Sequence, residues 1–226
     1  LRALSERGEQ VDLLTYHEGA DVAYPGVRIF RIPPPRGVTR VPPGFSLRKV
    51  RCDLVMWPQA AAMAREKKYD VVHAVEESVF IARSLRRRFG IPYIYDMDSS
   101  MAQQIVEKNP LFARAGPFLR AAERAAIRGA VAVVPVCDAL ADLARRNGAA
   151  RMVTLRDVSL LGIPPLPGPA ASPAPDYDPR REFGVQGLCL VYLGNLESYQ
   201  GIDLLLQGFA RVPRDTRAAD VVVIGG

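Results

Sequence analysis

Cysteine is scarce in this 226-residue chain, and what there is lies scattered: Cys52, Cys137 and Cys189, with no Cys-x-x-Cys pair. That excludes a disulfide framework and a zinc knuckle, and a reducing cytoplasm is the simplest compartment for such a chain. No apolar run approaches the roughly 18–20 residues of a membrane-spanning helix. No zinc-finger or RRM-like pattern is present, so nucleic acid is not an expected partner. No short repeat recurs, which excludes a solenoid. An initiator Met is also missing, and both ends are abrupt. Residues 1–8 read as the last turns of a helix stopped by Gly8, and Gly225-Gly226 opens a turn directly after an apolar strand. The expectation is a piece of a longer protein, with a strand before Leu1 and more chain after Gly226.

What is present is globular. Hydrophobic residues make up 49% and charged residues 24%, which excludes disorder, collagen and coiled coil, and the length suits one large domain or one domain plus part of another. The net charge of +6 is uneven: residues 1–160 hold 25 Lys+Arg against 17 Asp+Glu, whereas 161–226 hold 5 against 7. The excess includes Arg36, Arg40, Arg48, Lys49, Arg51 and the run Arg86-Arg87-Arg88. Such a half can meet an anionic membrane face or a phosphorylated substrate, or simply be a set of solvated helix faces.

Apolar runs alternate with helical patterns. Strands are expected at 11–16, 27–32, 71–74, 92–95, 131–134 and 152–155. Leu47, Val50, Leu54, Trp57, Ala61 and Ala64 fall at helical spacing, with Pro58 a kink or break. Further helices are expected at 81–89, closed by Gly90, at 111–129, and at 139–147, stopped by Gly148. Short apolar strands separated by helices imply an α/β fold with a buried parallel sheet, a Rossmann-like domain over residues 1–160 whose strands share one sheet. Residues 161–187 are rich in Pro, Gly and Ala and read as a linker. Strand 188–193, helix 202–209 and strand 221–224 then open a second α/β domain over 188–226.

In a parallel sheet ligands gather at the strand C-termini. His73 ends one strand, with Glu76 and Glu77 after it. Asp96, Asp98 and Ser99 follow the next, and His17 with Glu18 follows the first. Each has a plainer alternative. His73 can be a satisfied, partly buried histidine, Glu76 and Glu77 can be first-turn acids, and Asp98-Ser99 can cap a helix. The stretch Gly194-Asn195-Leu196-Glu197-Ser198-Tyr199-Gln200-Gly201 joins a buried strand to an apolar helix. It suits a phosphate at a helix start, or is an ordinary connection.

Gly194 through Leu206 resembles the first strand, loop and helix of the C-terminal domain in family-four retaining glycosyltransferases of the GT-B type. Three earlier segments agree in order with that family's N-terminal half: Asp70-Val71-Val72-His73-Ala74, Gly90 through Asp98, and Ala130 through Asp138. The resemblance implies two Rossmann-like domains with the active site in the cleft between them. One takes a glycan, lipid-linked or small-molecule acceptor and the other a nucleotide-sugar donor, which is a substrate, so that no cofactor and no metal is expected. It implies Asp98 and His73 as catalytic residues. His17, Glu76, Glu77, Asp96 and Ser99 would line the acceptor side, with Gly194, Asn195, Gln200 and Gly201 on the donor phosphates. Asn195 and Gln200 stand where the family usually has Arg and Lys, and Asp98 where many relatives have His. The family's Gly-rich acceptor loop and Glu-x7-Glu donor motif would lie outside the chain, so this piece alone is expected to be inactive. A cytoplasmic protein is implied, with peripheral contact to the inner membrane face among its expected partners. A sugar-nucleotide epimerase of the same fold and a non-catalytic binding module are the alternatives.

Overall fold

The computed structural model describes residues 1–41, 46–108, 114–157, 178–185, 188–194, 196, 200–212 and 219–225. They fall into two units, Leu1–Val158 and Ser159–Gly226. Most of the expected linker, and Asn195, lie outside the described residues.

The first unit opens with helix α1 (Arg2–Glu6), strand β1 (Val11–Thr15) and strand β2 (Val27–Arg31). The two strands pair in parallel, Val11 opposite Val27 and Thr15 opposite Arg31. Arg31 ties down the connection between them: its guanidinium donates to the Glu18 and Ala20 carbonyls and to the Asp21 carboxylate. Helix α2 (Leu47–Glu66) starts at Ser46, whose hydroxyl accepts from the Lys49 amide at 3.2 Å, a side-chain cap. Of the kink or break expected at Pro58, the break does not occur: α2 runs through it. Pro58 is exposed, so water can take up the hydrogen bond that the ring forgoes.

A second parallel sheet follows, in the order β3 (Val72–Val75), β4 (Tyr93–Met97), β5 (Ala132–Pro135). A turn of 3-10 helix (Glu76–Ser78) and helix α3 (Val79–Phe89) join β3 to β4. Helices α4 (Met101–Lys108) and α5 (Gly116–Gly129) join β4 to β5, and α6 (Asp138–Arg146) follows. The expected strand at 152–155 is reduced to one bridge, Val133 to Met152.

The single sheet expected across this unit is two ladders instead. Among the described residues β1 pairs only with β2, and β3 only with β4. What joins the ladders is a shared apolar cluster: Cys52, Met56 and Ala61 of α2 pack with Ile81 and Leu85 of α3, and Leu14 and Val72 lie against the same cluster. Asp12 adds a polar tie. Its buried carboxylate accepts from Lys67 Nζ at 2.8 Å and Tyr69 Oη at 2.7 Å, and pairs with Arg28. The other cluster packs one face of the β3–β4–β5 sheet. Tyr93, Tyr95 and Met97 alternate inward along β4 and meet Val133, Ala126 and Ile127, as the two-residue period of a strand requires.

The second unit has a short helix α7 (Pro179–Phe183), which falls inside the expected linker. Asp178 caps it, accepting from the Arg180 amide at 3.0 Å. Strand β6 (Leu188–Leu193), helix α8 (Ile202–Ala210) and strand β7 (Ala219–Ile224) complete a parallel β-α-β unit, Leu188 opposite Ala219 and Leu193 opposite Ile224.

Candidate active site

The alternation that buries Tyr93, Tyr95 and Met97 turns Asp96 to the opposite face of the sheet. In register, Val75 lies opposite Asp96 and His73 opposite Ile94, so His73 and Asp96 share that face on neighbouring strands. His73 Nε2 is 2.9 Å from Asp96 Oδ2, with the imidazole about half exposed. A carboxylate only accepts, so Nε2 is the donor in this bond. His73 is thus hydrogen-bonded and half exposed, which fits the plainer reading of a satisfied, partly buried histidine as well as a place in the site.

Just beyond the ends of β3 and β4 the chain gathers more acid. Ser99 Oγ donates to Glu76 Oε1 at 3.2 Å. Lys49, from the first turn of α2, reaches Glu76 at 3.3 Å and Glu77 at 3.6 Å. Glu76 has φ 48°, the one left-handed non-glycine among the described residues. Such a conformation costs about 1–2 kcal/mol and is found where function holds the backbone in place.

Electrostatics sort these carboxyls. Burial pushes Asp98 above its ordinary range, and the charges of Asp96, Glu76 and Asp157 push it further, with His73 partly opposing. Burial also raises Glu77, against the pull of Lys49. Lys49 itself is held charged: burial works against its ammonium, but Glu77 and Glu76 outweigh it. A raised carboxyl beside an imidazole at a strand terminus is suited to accepting a hydroxyl hydrogen bond or proton.

The structure therefore brings together His73, Glu76, Glu77, Asp96, Asp98 and Ser99. His17 stands apart. Its ring nitrogens are buried without a hydrogen-bond partner, and its neighbour Glu18 accepts from the Val41 amide at 2.8 Å. The link from β1 is Tyr16, whose hydroxyl donates to Asp53 Oδ1 at 2.7 Å, one helical turn after Lys49. Burial raises Asp53, opposed by the Tyr16 hydroxyl and Lys49.

Sequence reasoning passed over Lys49, Asp53, Tyr16 and Asp157. Lys49 sat in a basic run and carried no mark of its own. The helix cap was also one residue off: Ser100, not Asp98 or Ser99, accepts from the Gln103 amide at 3.4 Å. Ser100 in turn donates to the buried Glu123 of α5, which also takes the Ala102 amide.

In the second unit, the Gly194 amide donates to the Ile224 carbonyl at 3.1 Å, and Gln200 is exposed. Gly201 precedes α8 at φ 74°, and an added Cβ there would meet open space. Its requirement for glycine is backbone handedness rather than crowding. Among the described residues no group of three His, Cys, Asp or Glu is placed to hold a metal ion, and no helix is long and apolar enough to cross a membrane.

The family model for the glycosyl transferase 4-like domain matches residues 1–156, nearly all of the unit Leu1–Val158 that carries this cluster. The chain belongs to that family. Among solved structures, sucrose-phosphate synthase from Thermosynechococcus elongatus is similar at 17% identity and a TM-score of 0.68, covering 100% of this chain and 54% of that one. The chain thus spans about half the length of that relative, and the likeness is one of fold: α/β with parallel sheets, as in the N-terminal region of GT-B glycosyltransferases. No curated protein matches. Within the glycosyl transferase 4-like domain, Asp98 lies just past the C-terminus of β4, where parallel α/β sheets bind ligands, whereas His73 and Asp96 lie within β3 and β4 on the sheet face.

Proposed function

We propose that this chain is the acceptor-side domain, with the start of the donor-side domain, of a retaining glycosyltransferase. It uses a nucleotide-diphosphate sugar and glycosylates an acceptor hydroxyl. The observation that carries this is the pairing of His73 with Asp96 beside the raised carboxyl of Asp98, in a domain of this family. In the reaction the bond from the anomeric carbon to the donor phosphate oxygen breaks and one to the acceptor oxygen forms. The acceptor's proton ends on the leaving phosphate.

Asp98 accepts the hydrogen bond of the incoming hydroxyl and orients it. His73, held by Asp96, offers a second polar contact from the same face. Lys49, Glu76, Glu77 and Ser99 hold the β3 and β4 termini in place, and positioning of this kind is where much of the rate enhancement arises. On the donor side, Gly194, Asn195, Gln200 and Gly201 form the phosphate loop. Asn195 and Gln200 bond the phosphates without neutralising them, so the neutralising charge comes from other groups.

The test is transfer by the protein expressed from its full reading frame, with a panel of nucleotide sugars. Asp98→Asn is expected to lower kcat by roughly 10²–10⁴-fold while donor binding stays at the wild-type level. Unchanged turnover in that variant would remove Asp98 from the chemistry. Failure of every nucleotide sugar to bind would overturn the reading as a whole.

A further inference from the structure

The apolar spacing in α2 predicts a buried face, but most of that face is not buried. Leu47 is 72% exposed, Val50 37%, Leu54 65% and Trp57 44%. The same helix packs into the core through Cys52 and Met56 instead. At about 100° per residue, the four exposed side chains fall within about 80° of one another, so they form one continuous stripe. The guanidinium groups of Arg48 and Arg51 are exposed on one flank of it. Arg40, whose carbonyl accepts from Arg48 at 3.2 Å, adds another exposed cation nearby. The acid within this stretch is turned away: Asp53 is taken up by Tyr16.

We infer that this face of α2 docks on an anionic lipid bilayer, with Leu47, Val50, Leu54 and Trp57 in the acyl boundary and the arginines against the headgroups. An apolar stripe beside a cationic flank, on a helix too polar to span, is the pattern of an interfacial helix, and anionic headgroups complement the arginines. A second copy of the chain is the poorer occupant, because a two-fold contact would set one cationic flank near its twin. Docking also has a consequence for the site. Lys49 and Asp53, from the same turns of α2, leave on the flank beyond Trp57, away from Arg48 and Arg51, and reach Glu76, Glu77 and Tyr16. A bilayer against the stripe therefore lies one helix away from the acidic cluster. The acceptor class that fits is a membrane lipid bearing a hydroxyl in its headgroup. This last step rests on the glycosyltransferase reading, whereas docking itself does not.

Trp57 is the chain's one tryptophan, so its emission reports the stripe directly. The experiment adds the chain to vesicles of phosphatidylcholine alone or mixed equally with phosphatidylglycerol, following sedimentation, Trp57 emission and quenching by spin-labelled lipid. The expected result is salt-sensitive binding to the anionic vesicles with a blue shift and quenching of Trp57. Leu47→Ser and Leu54→Ser should each weaken partitioning at least about tenfold, and Arg48→Ala and Arg51→Ala about fivefold each. Far-ultraviolet circular dichroism of the variants checks that they remain folded. These residues sit on the surface, so folding should be unaffected. Sedimentation with no change at Trp57 would overturn the proposal, as would loss of binding only when Arg120, Arg124 and Arg128 of α5 are replaced by Ser. Failure to bind anionic vesicles, or self-association of the chain that Leu54→Ser abolishes, would do the same. None of these readouts requires sugar transfer, so docking and the enzymatic reading fail separately. The lipid acceptor is then tested by transfer to vesicle-borne against soluble hydroxyl acceptors. Preference for the soluble ones would overturn that step alone.

Discussion

The two units share one design and differ in what covers it. Leu1–Val158 and Ser159–Gly226 are both built from apolar parallel strands linked by helices. In the first, Tyr93, Tyr95, Met97, Ile127 and Val133 are almost wholly shielded from water. In the second, Val222 is the one buried hydrophobic residue among those described, while Leu188, Leu190, Val191 and Leu193 of β6 stand exposed. Parallel strands need cover on both faces. Among the described residues, the short α7, α8 and two strands do not supply it, whereas three strands enclosed by α3, α5 and α6 bury at least one face well. An apolar strand pattern thus states what must be covered, and the number of packed layers decides whether it is.

The largest test of that contrast is separation. Residues 1–158 alone should unfold in one cooperative transition on urea titration, and 159–226 alone should show none, because that unit lacks a sufficient core. A cooperative transition in the isolated second unit would break the comparison. Single substitutions sharpen it. Ile127→Ala should cost about 2–5 kcal/mol, while Leu193→Ala, 76% exposed, should stay within about 0.5 kcal/mol. Similar losses at the two positions in denaturant melts would mean that β6 is covered after all.

A smaller effect is expected from acid. The Asp12 carboxyl sits below its usual range: burial opposes ionisation, but hydrogen bonds from Lys67, Tyr69 and Arg28 outweigh it. The ion pair's contribution is therefore present above the unfolded value of about 3.9 and is lost as pH falls through the lower folded value. Asp12→Asn should flatten that acid limb of first-unit stability and leave the second unit's signal unchanged. A limb of unchanged slope would assign acid sensitivity elsewhere.

Much of the candidate site was legible because strand ends are legible. Val72 to Val75 and Tyr93 to Met97 are apolar, and the polar residues that interrupt or follow them had to lie at the sheet's edge or on its open face. His73 and Asp96 could be named on that ground, but their direct hydrogen bond, between residues 23 apart, depends on the register of β3 against β4. Lys49 was hidden for the same reason. Its partners Glu76 and Glu77 are 27 and 28 positions away, and nothing local separates it from Arg48 or Arg51. The left-handed backbone at Glu76 carried no signal either, since glutamate ordinarily avoids it.

The sequence by itself determined the alternation of strand and helix, the parallel α/β class, the turns at Gly90 and Gly201, and the family. These depend on side-chain period and local backbone preference, which act within a few residues. Only the tertiary structure decided that the strands of the first unit form two ladders rather than one, that α2 continues through Pro58, and that it presents Leu47, Leu54 and Trp57 outward while Cys52 and Met56 turn in. The hydrophobic effect is non-directional. A helix with apolar residues on more than one side can bury either, and the choice falls to whichever neighbouring surfaces the rest of the chain brings against it.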